Sequence, residues 1–178
     1  MDARLTKTDW LDHGLRTLAA SGANALKVAP MSEALQVSRG SFYWHFKDIA
    51  DFRSELLGYW RQRLTDQIIQ ELESAESEAG RLNYLMKRAF TADHRLDRAV
   101  RNWAAEDSDV AAMVAAVDAG RVAYIARILE AAGVREPQTS SRAAFLYWAY
   151  LGQAVVMDPR HASIALSSLD EISDLFKT

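Results

Sequence analysis

Apolar residues recur at steps of three and four along almost the whole of this chain, and two-residue alternation is nowhere sustained. Each segment is therefore directed toward a helix that buries one stripe, and the expected fold class is all-α. Hydrophobic residues make up 49% of the 178, enough to fill a sizeable core, so extended disorder is not expected.

The helix boundaries follow from local chemistry. Thr6, with Asp9 three residues on, forms a capping-box pattern that opens a first helix. Leu11, Leu15 and Leu18 share one face of it, and Gly22 is placed to end it. Pro30 falls in the first turn of a second, short helix carrying Met31, Ala34 and Leu35. Ser38 is placed to cap a third, in which Phe42 and Phe46, four apart, make the buried face. Asp48 and Asp51 mark the start of a fourth. From Phe52 an apolar file runs through Leu56, Trp60, Leu64, Ile68 and Leu72, predicting a helix of roughly 25 residues, about 37 Å long. The acidic stretch 73–80 reads as a connection. Further helices are expected over 81–92, 95–106, 109–132, 140–157 and 161–176, punctuated by Gly133, Pro137 and Pro159. The expected division is a head of residues 1–50 and a helical body of 51–178.

The second and third helices, joined by the tight turn around Gln36, Val37 and Ser38, have the size and spacing of a helix-turn-helix. With Phe42 and Phe46 inward, Arg39, Gly40 and Tyr43 fall together on another face. The planar fork of Arg39 suits a guanine edge, and Gly40 lets backbone approach closely. The hydroxyls of Ser41 and Tyr43, the cation of Lys47 and the imidazole of His45 suit phosphate oxygens. Tyr43 or Trp44 taken alone reads more simply as a packing residue than as a ligand contact. The set predicts double-stranded DNA as a partner.

The stretch MSEALQVSRGSFYWHFKDIADF resembles the signature of the tetracycline-repressor-like (TetR) family through Ala34, Val37, Ser38, Gly40, Phe42, Tyr43, His45 and Phe46. The likeness covers about the first 60 residues, with a looser similarity around RNWAAEDSDVAAMVAAVDAGR. It implies an all-helical homodimer with N-terminal DNA-binding heads and C-terminal domains that dimerise and hold a ligand. Arg39, Gly40, Ser41 and Tyr43 then stand where family members touch a near-palindromic operator, with His45 and Lys47 near phosphate. Two positions depart from the pattern. Gln36 stands where glycine is common, and a left-handed backbone there costs a non-glycine residue roughly 1 kcal/mol, so a local change of the turn is expected. Ile49 stands where lysine is common, which removes one phosphate contact.

In the body, Trp60, Met86, Phe90, Trp103, Met113, Tyr124, Tyr147 and Trp148 are candidates for lining a pocket for a small apolar or aromatic effector. Tyr84, Phe145 and Met157 belong to the same large apolar set, and a filled core gives the same pattern. The small residues Ala143, Ala144, Ala149, Gly152 and Ala154, set among Phe145, Leu146, Leu151 and Val155, suit close helix pairing. With Ile164, Leu166, Leu169, Ile172 and Leu175 they form either a homodimer bundle or an internal core.

Charge and composition bound the rest. Residues 1–63 hold nine Lys/Arg and seven Asp/Glu, whereas 64–178 hold twelve and seventeen, so a mildly basic first third precedes an acidic body. The absence of cysteine removes disulfides and thiolate chemistry. No apolar run reaches bilayer-spanning length, and MDARLTKTDW lacks the apolar core of a secretory signal, so a cytoplasmic protein with no membrane partner is expected. The histidines at 13, 45, 94 and 161 form no HExxH pair. His13 reads as a surface or boundary residue. His94 and Asp97, three apart, fit either a shared metal or, more simply, a solvated helix start. No nucleophile–base set is present, so neither catalysis nor a cofactor is expected. The reading is a sequence-specific regulator, most simply a repressor released by ligand. The alternative is a helical ligand-binding or scaffold protein that no longer binds DNA, which the acidic body, Gln36 and Ile49 leave open.

Overall fold

The computed structural model describes residues 5–75, 77–156, 158, 160 and 164–177; Met157, Pro159 and His161 lie outside the described residues. Ten α-helices follow one another among them: α1 (Lys7–Ser21), α2 (Val28–Ala34), α3 (Arg39–Tyr43), α4 (Ile49–Arg61), α5 (Gln67–Ala75), α6 (Glu78–Thr91), α7 (Arg95–Ala104), α8 (Ser108–Ala131), α9 (Gln138–Leu151) and α10 (Ser168–Lys177). Wide π-helical turns continue α4 through Gln62–Asp66 into α5 and extend α9 through Gly152–Val156.

The helices form two compact units, one of residues up to 64 with 95–114, the other of 65–94 with 115–178. Residues 51–64 pack within the first unit. The reason is α4, whose Phe52, Leu56, Leu57 and Trp60 are all buried. At Gly14, near the middle of α1, an added Cβ would lie 2.6 Å from Phe52 Cζ and 2.9 Å from a Leu56 methyl, so the two helices touch where α1 has no side chain. Polar ties fix the same pair. The Tyr59 hydroxyl donates to Asp12 at 2.8 Å, Arg63 donates to the same carboxylate at 2.6 Å, and Lys7 pairs with Glu55. Burial, then the Asp12 carboxylate, raises the pKa of Tyr59.

In the first unit α1 begins as expected. Thr6 and Asp9 form a reciprocal capping box, and the Thr6 hydroxyl and backbone N–H lower the Asp9 pKa. Trp10 joins Leu11, Leu15 and Leu18 in the core. Its ring meets Phe42 edge-on at 5.4 Å, and Phe42, Phe46 and Phe52 form a cluster with centroids 5.0–5.5 Å apart. A short 3₁₀ turn, Ala23–Ala25, follows Gly22 and carries the chain to the fully buried Leu26.

The second unit has its own core, in which Leu72, Leu82, Met86, Tyr124, Leu129, Leu146 and Leu169 are buried together. Two boundaries differ from expectation. The acidic stretch 73–80 belongs mostly to helices: α5 runs to Ala75, and α6 starts at Glu78. Helix α10 starts at Ser168, not at 161. Asp170 and Glu171 mark its first turn, and Ile164 and Leu166 precede it as exposed residues outside any helix. No described helix is long and apolar enough to cross a membrane.

Candidate nucleic-acid interface

Helix α3 has five residues, so its position depends on what it buries and on the turn before it. The turn is made by Gln36, whose φ of +55° lies in the left-handed region. The expected local change therefore does not occur: a glutamine carries the backbone that glycine adopts more freely, at a cost of roughly 1 kcal/mol. The Gln36 N–H donates to the Glu33 carbonyl and the Val37 N–H to the Ser32 carbonyl, both at 3.0 Å, which closes the end of α2. Ser38 occupies the cap position of α3 with extended backbone, although its side chain makes no capping bond.

Phe42 and Phe46 are buried, and the opposite side of α3 is open. Arg39, Gly40 and Lys47 are exposed, Ser41 is half-buried, and Tyr43 is 58% exposed with its ring edge-on to Phe42. A Cβ at Gly40 would meet only Ser38 Oγ, at an ordinary 3.5 Å, so nothing within the chain requires glycine there. Trp44 is 74% exposed. It is absent from the contact set read from the sequence, although residue 44 lies about 200° around the helix from Phe42 and must point outward. An exposed indole beside Tyr43 gives this surface two flat aromatic edges among polar groups.

His45 has a partner within the chain. Its Nε2 lies 2.9 Å from the Leu5 carbonyl, an acceptor, so Nε2 carries the proton and donates across forty residues of chain. One imidazole nitrogen thus holds the segment entering α1 against the end of α3. After α3, Asp48 accepts from the Asp51 N–H at 2.8 Å, and the Asp51 carboxylate accepts from the Lys47 N–H at 2.9 Å. That exchange fixes the start of α4 beside Lys47, and Ile49 there is half-buried.

The residues proposed to line an effector pocket fall in different units. In the first, Trp60 is buried and its indole N–H donates to Asp97 at 3.2 Å; Trp103 is buried and Met113 half-buried. Asp97 is thus not at a solvated helix start: it is 3% exposed because α7 turns it toward Trp60. In the second, Met86, Tyr124 and Tyr147 belong to the core, with Phe90 packed against it and the Tyr147 hydroxyl on Asp118 at 2.5 Å. Trp148 is 67% exposed. On α9 Leu146 and Tyr147 take the buried side, which turns residue 148 outward. His94 packs against Tyr150, and no group of three metal-ligating side chains occurs among the described residues.

Over 72 residues, 40% of the chain, the sequence is 36% identical to the HTH-type transcriptional regulator AcrR of Shigella flexneri. The match spans 31% of that relative's length. No protein-family model matches the sequence. A solved transcriptional regulator from Rhodococcus sp. Rha1 superposes with a TM-score of 0.74 at 19% identity, covering 97% of this chain and 94% of that one. A TetR-family transcriptional regulator from Rhodococcus sp. superposes with a TM-score of 0.68 at 19% identity, covering 97% and 98%. This chain has the TetR-family fold. A protein from Clostridium perfringens described as a fatty acid metabolism regulator shares the fold, with a TM-score of 0.67 at 18% identity over 94% and 95%. In the TetR fold as this chain builds it, α2 and α3 make the helix-turn-helix, and α1 and α4 supply the surface on which it rests.

Proposed function

We propose that the chain is a sequence-specific DNA-binding transcriptional regulator of the TetR type, acting as a homodimer in the cytoplasm and released from its operator by a small apolar or aromatic molecule. The observation that carries the reading is the two-sidedness of α3. Phe42 and Phe46 hold it rigidly, while Arg39, Gly40, Tyr43 and Trp44 face outward from a head whose turn is intact at Gln36. Arg39 reads a guanine edge in the major groove, Ser41, Tyr43 and Lys47 take phosphates, and the flat face of Trp44 lies along sugar or a thymine methyl. His45 acts through the Leu5 carbonyl to hold the head together, rather than only as a phosphate contact.

Dimerisation is assigned to α9 and α10. Phe145 and Trp148 are exposed on one face of α9, Leu175 is exposed on α10, and Phe145 stacks on Phe176 at 5.9 Å. Neighbouring large apolar groups left in water suit an interaction site, and in a two-fold dimer the same patch on each copy would face the other. Two heads then read two half-sites one helical turn apart. An effector that prefers a conformer with the wrong head spacing weakens DNA binding to the extent of that preference. No catalytic role is assigned.

Selection of bound duplexes from a random-sequence pool at near-physiological salt tests the reading. A two-fold-symmetric enriched site is expected. A folded, dimeric protein that enriches nothing, or whose binding is sequence-blind and lost in moderate salt, contradicts it in favour of a scaffold.

A further inference from the structure

Most positive side chains of the first unit are engaged within the chain. Lys7 pairs with Glu55 and Arg63 with Asp12, Arg53 donates to the Leu26 carbonyl, and Arg61, Arg95, Arg98 and Arg101 also have interactions there. Among the described residues, the exposed side chains of Arg16, Lys27, Arg39 and Lys47 form no hydrogen bond or ion pair. Arg16 stands on α1, where its charge acts on Asp9 and His13. The other three belong to the helix-turn-helix: Lys27 immediately precedes α2, Arg39 is first in α3, and Lys47 lies in the link from α3 to α4. The sequence pattern marks Arg39 and Lys47 for a DNA surface but gives no signal for Lys27.

The backbone fixes where Lys27 stands. Leu26 is wholly buried, and Lys27 follows it in an extended conformation, φ −131° and ψ 140°, with its side chain outside. The Lys27 N–H donates to the Ala25 carbonyl at 2.9 Å, and its own carbonyl accepts from the Met31 N–H at 3.2 Å. Arg53 on α4 reaches the carbonyl just before it, at 3.4 Å. The base of the side chain is thus tied to the 3₁₀ turn, to α2 and to α4, while the ammonium group is left to solvent. A flexible point charge on a fixed base suits a phosphate better than a base edge.

We infer that Lys27 is a further phosphate contact, carried to the DNA backbone by α2 while α3 enters the major groove. The contact rests on the DNA-binding reading of α3. In a helix-turn-helix the first helix crosses the backbone as the second lies in the groove. Helix α2, with seven residues, is about 10 Å long. Lys27 and Lys47, at the outer ends of the two-helix unit, therefore meet phosphates at separate points of the backbone. Lys27 also supplies a cation to an interface in which Ile49 provides none.

Fluorescence anisotropy of the full chain on its selected duplex, across a salt series, tests this. Lys27→Gln should weaken selected and unrelated duplexes by the same factor and flatten the salt slope by about 0.9 for each head bound. Lys27→Arg should keep both affinity and slope. Arg16→Gln, which removes an equally exposed charge on α1, should leave the slope unchanged. Among the phosphates whose ethylation blocks binding of the parent chain, one in each half-site should become silent in Lys27→Gln. An unchanged slope in Lys27→Gln, an equal flattening by Arg16→Gln, or the same ethylation pattern in parent and variant overturns the contact. With no side-chain partner to lose, Lys27→Gln should melt with the parent, and a lower melting temperature would assign Lys27 to the fold instead. A parent chain that binds no duplex overturns the DNA-binding reading itself, and this contact with it.

Discussion

Two helices of this chain hold aromatic rings in water. Helix α3 presents Tyr43 and Trp44, and α9 presents Phe145 and Trp148. The rings are similarly exposed, but their surroundings differ. Around Tyr43 and Trp44 stand Arg39, Gly40 and Lys47, polar or small groups at the end of a five-residue helix whose inner face is clamped by three phenylalanines. Phe145 and Trp148 lie one turn apart on α9, with Phe176 stacked on Phe145, Leu175 exposed on α10, and Arg142 turned to donate to the Phe176 carbonyl at 2.8 Å. The comparison shows that exposure alone does not name a partner. An aromatic edge among cations and hydroxyls suits a polyanion with flat bases, whereas an aromatic edge among aliphatics suits a copy of itself.

The largest effect should come from breaking the second surface. Phe145→Glu combined with Trp148→Glu should raise the dimer dissociation constant by roughly a thousandfold, about 4 kcal/mol, at two hot-spot positions, as sedimentation equilibrium will read. Thermal stability of the first unit should be nearly unchanged, so a collapse of the whole fold would instead place these rings in structural packing. The first surface is sharpened by Arg39→Ala. It should cost about 1–3 kcal/mol at the selected site and relax preference at one base pair, leaving the dimer intact. Lys47→Ala should weaken all sequences alike and reduce the salt slope by about 1.

Gly40→Ala separates folding from recognition. The methyl meets only ordinary contact with Ser38 Oγ, so the variant should gain about 0.5–1 kcal/mol of stability in a denaturant titration, yet bind DNA less tightly because backbone approach is blocked. Lower stability would show that the glycine serves the fold. The smallest effect concerns His13, half-buried on α1 beside Thr17. Burial, then the Arg16 charge, lowers its pKa below the usual 6.5. The unfolded chain therefore binds the proton more readily, and stability falls as pH drops through 6.5 toward the lower folded value. Melting curves at pH 7.5 and 5 should show a small decrease, and His13→Asn should remove its contribution.

What the sequence makes legible is what local rules decide. The capping box at Thr6 and Asp9, the cap at Asp48 and the inward pair Phe42/Phe46 each depend on residues within one turn, and each is where the spacing puts it. The outward direction of Trp44 was equally available, since it follows from the same helical angle. Long-range partners were not legible. The His45 bond to the Leu5 carbonyl joins residues forty apart, and the burial of Asp97 is settled by Trp60, thirty-seven residues away. The start of α10 is not legible either, because Ile164 and Leu166 continue an apolar pattern that the backbone does not follow. Pocket and core share one composition, so nothing in residue type separates the buried Tyr147 from the exposed Trp148, one helical step of about 100° further round α9.

The central claim is that the two aromatic faces serve two different partners. A structure of the full chain bound to its selected duplex tests it most directly. The account predicts α3 in the major groove with Arg39, Tyr43 and Trp44 against DNA, and Phe145 and Trp148 buried against the same residues of a second copy. DNA lying against any face other than that of α3, or Phe145 and Trp148 still in water within the complex, would contradict it.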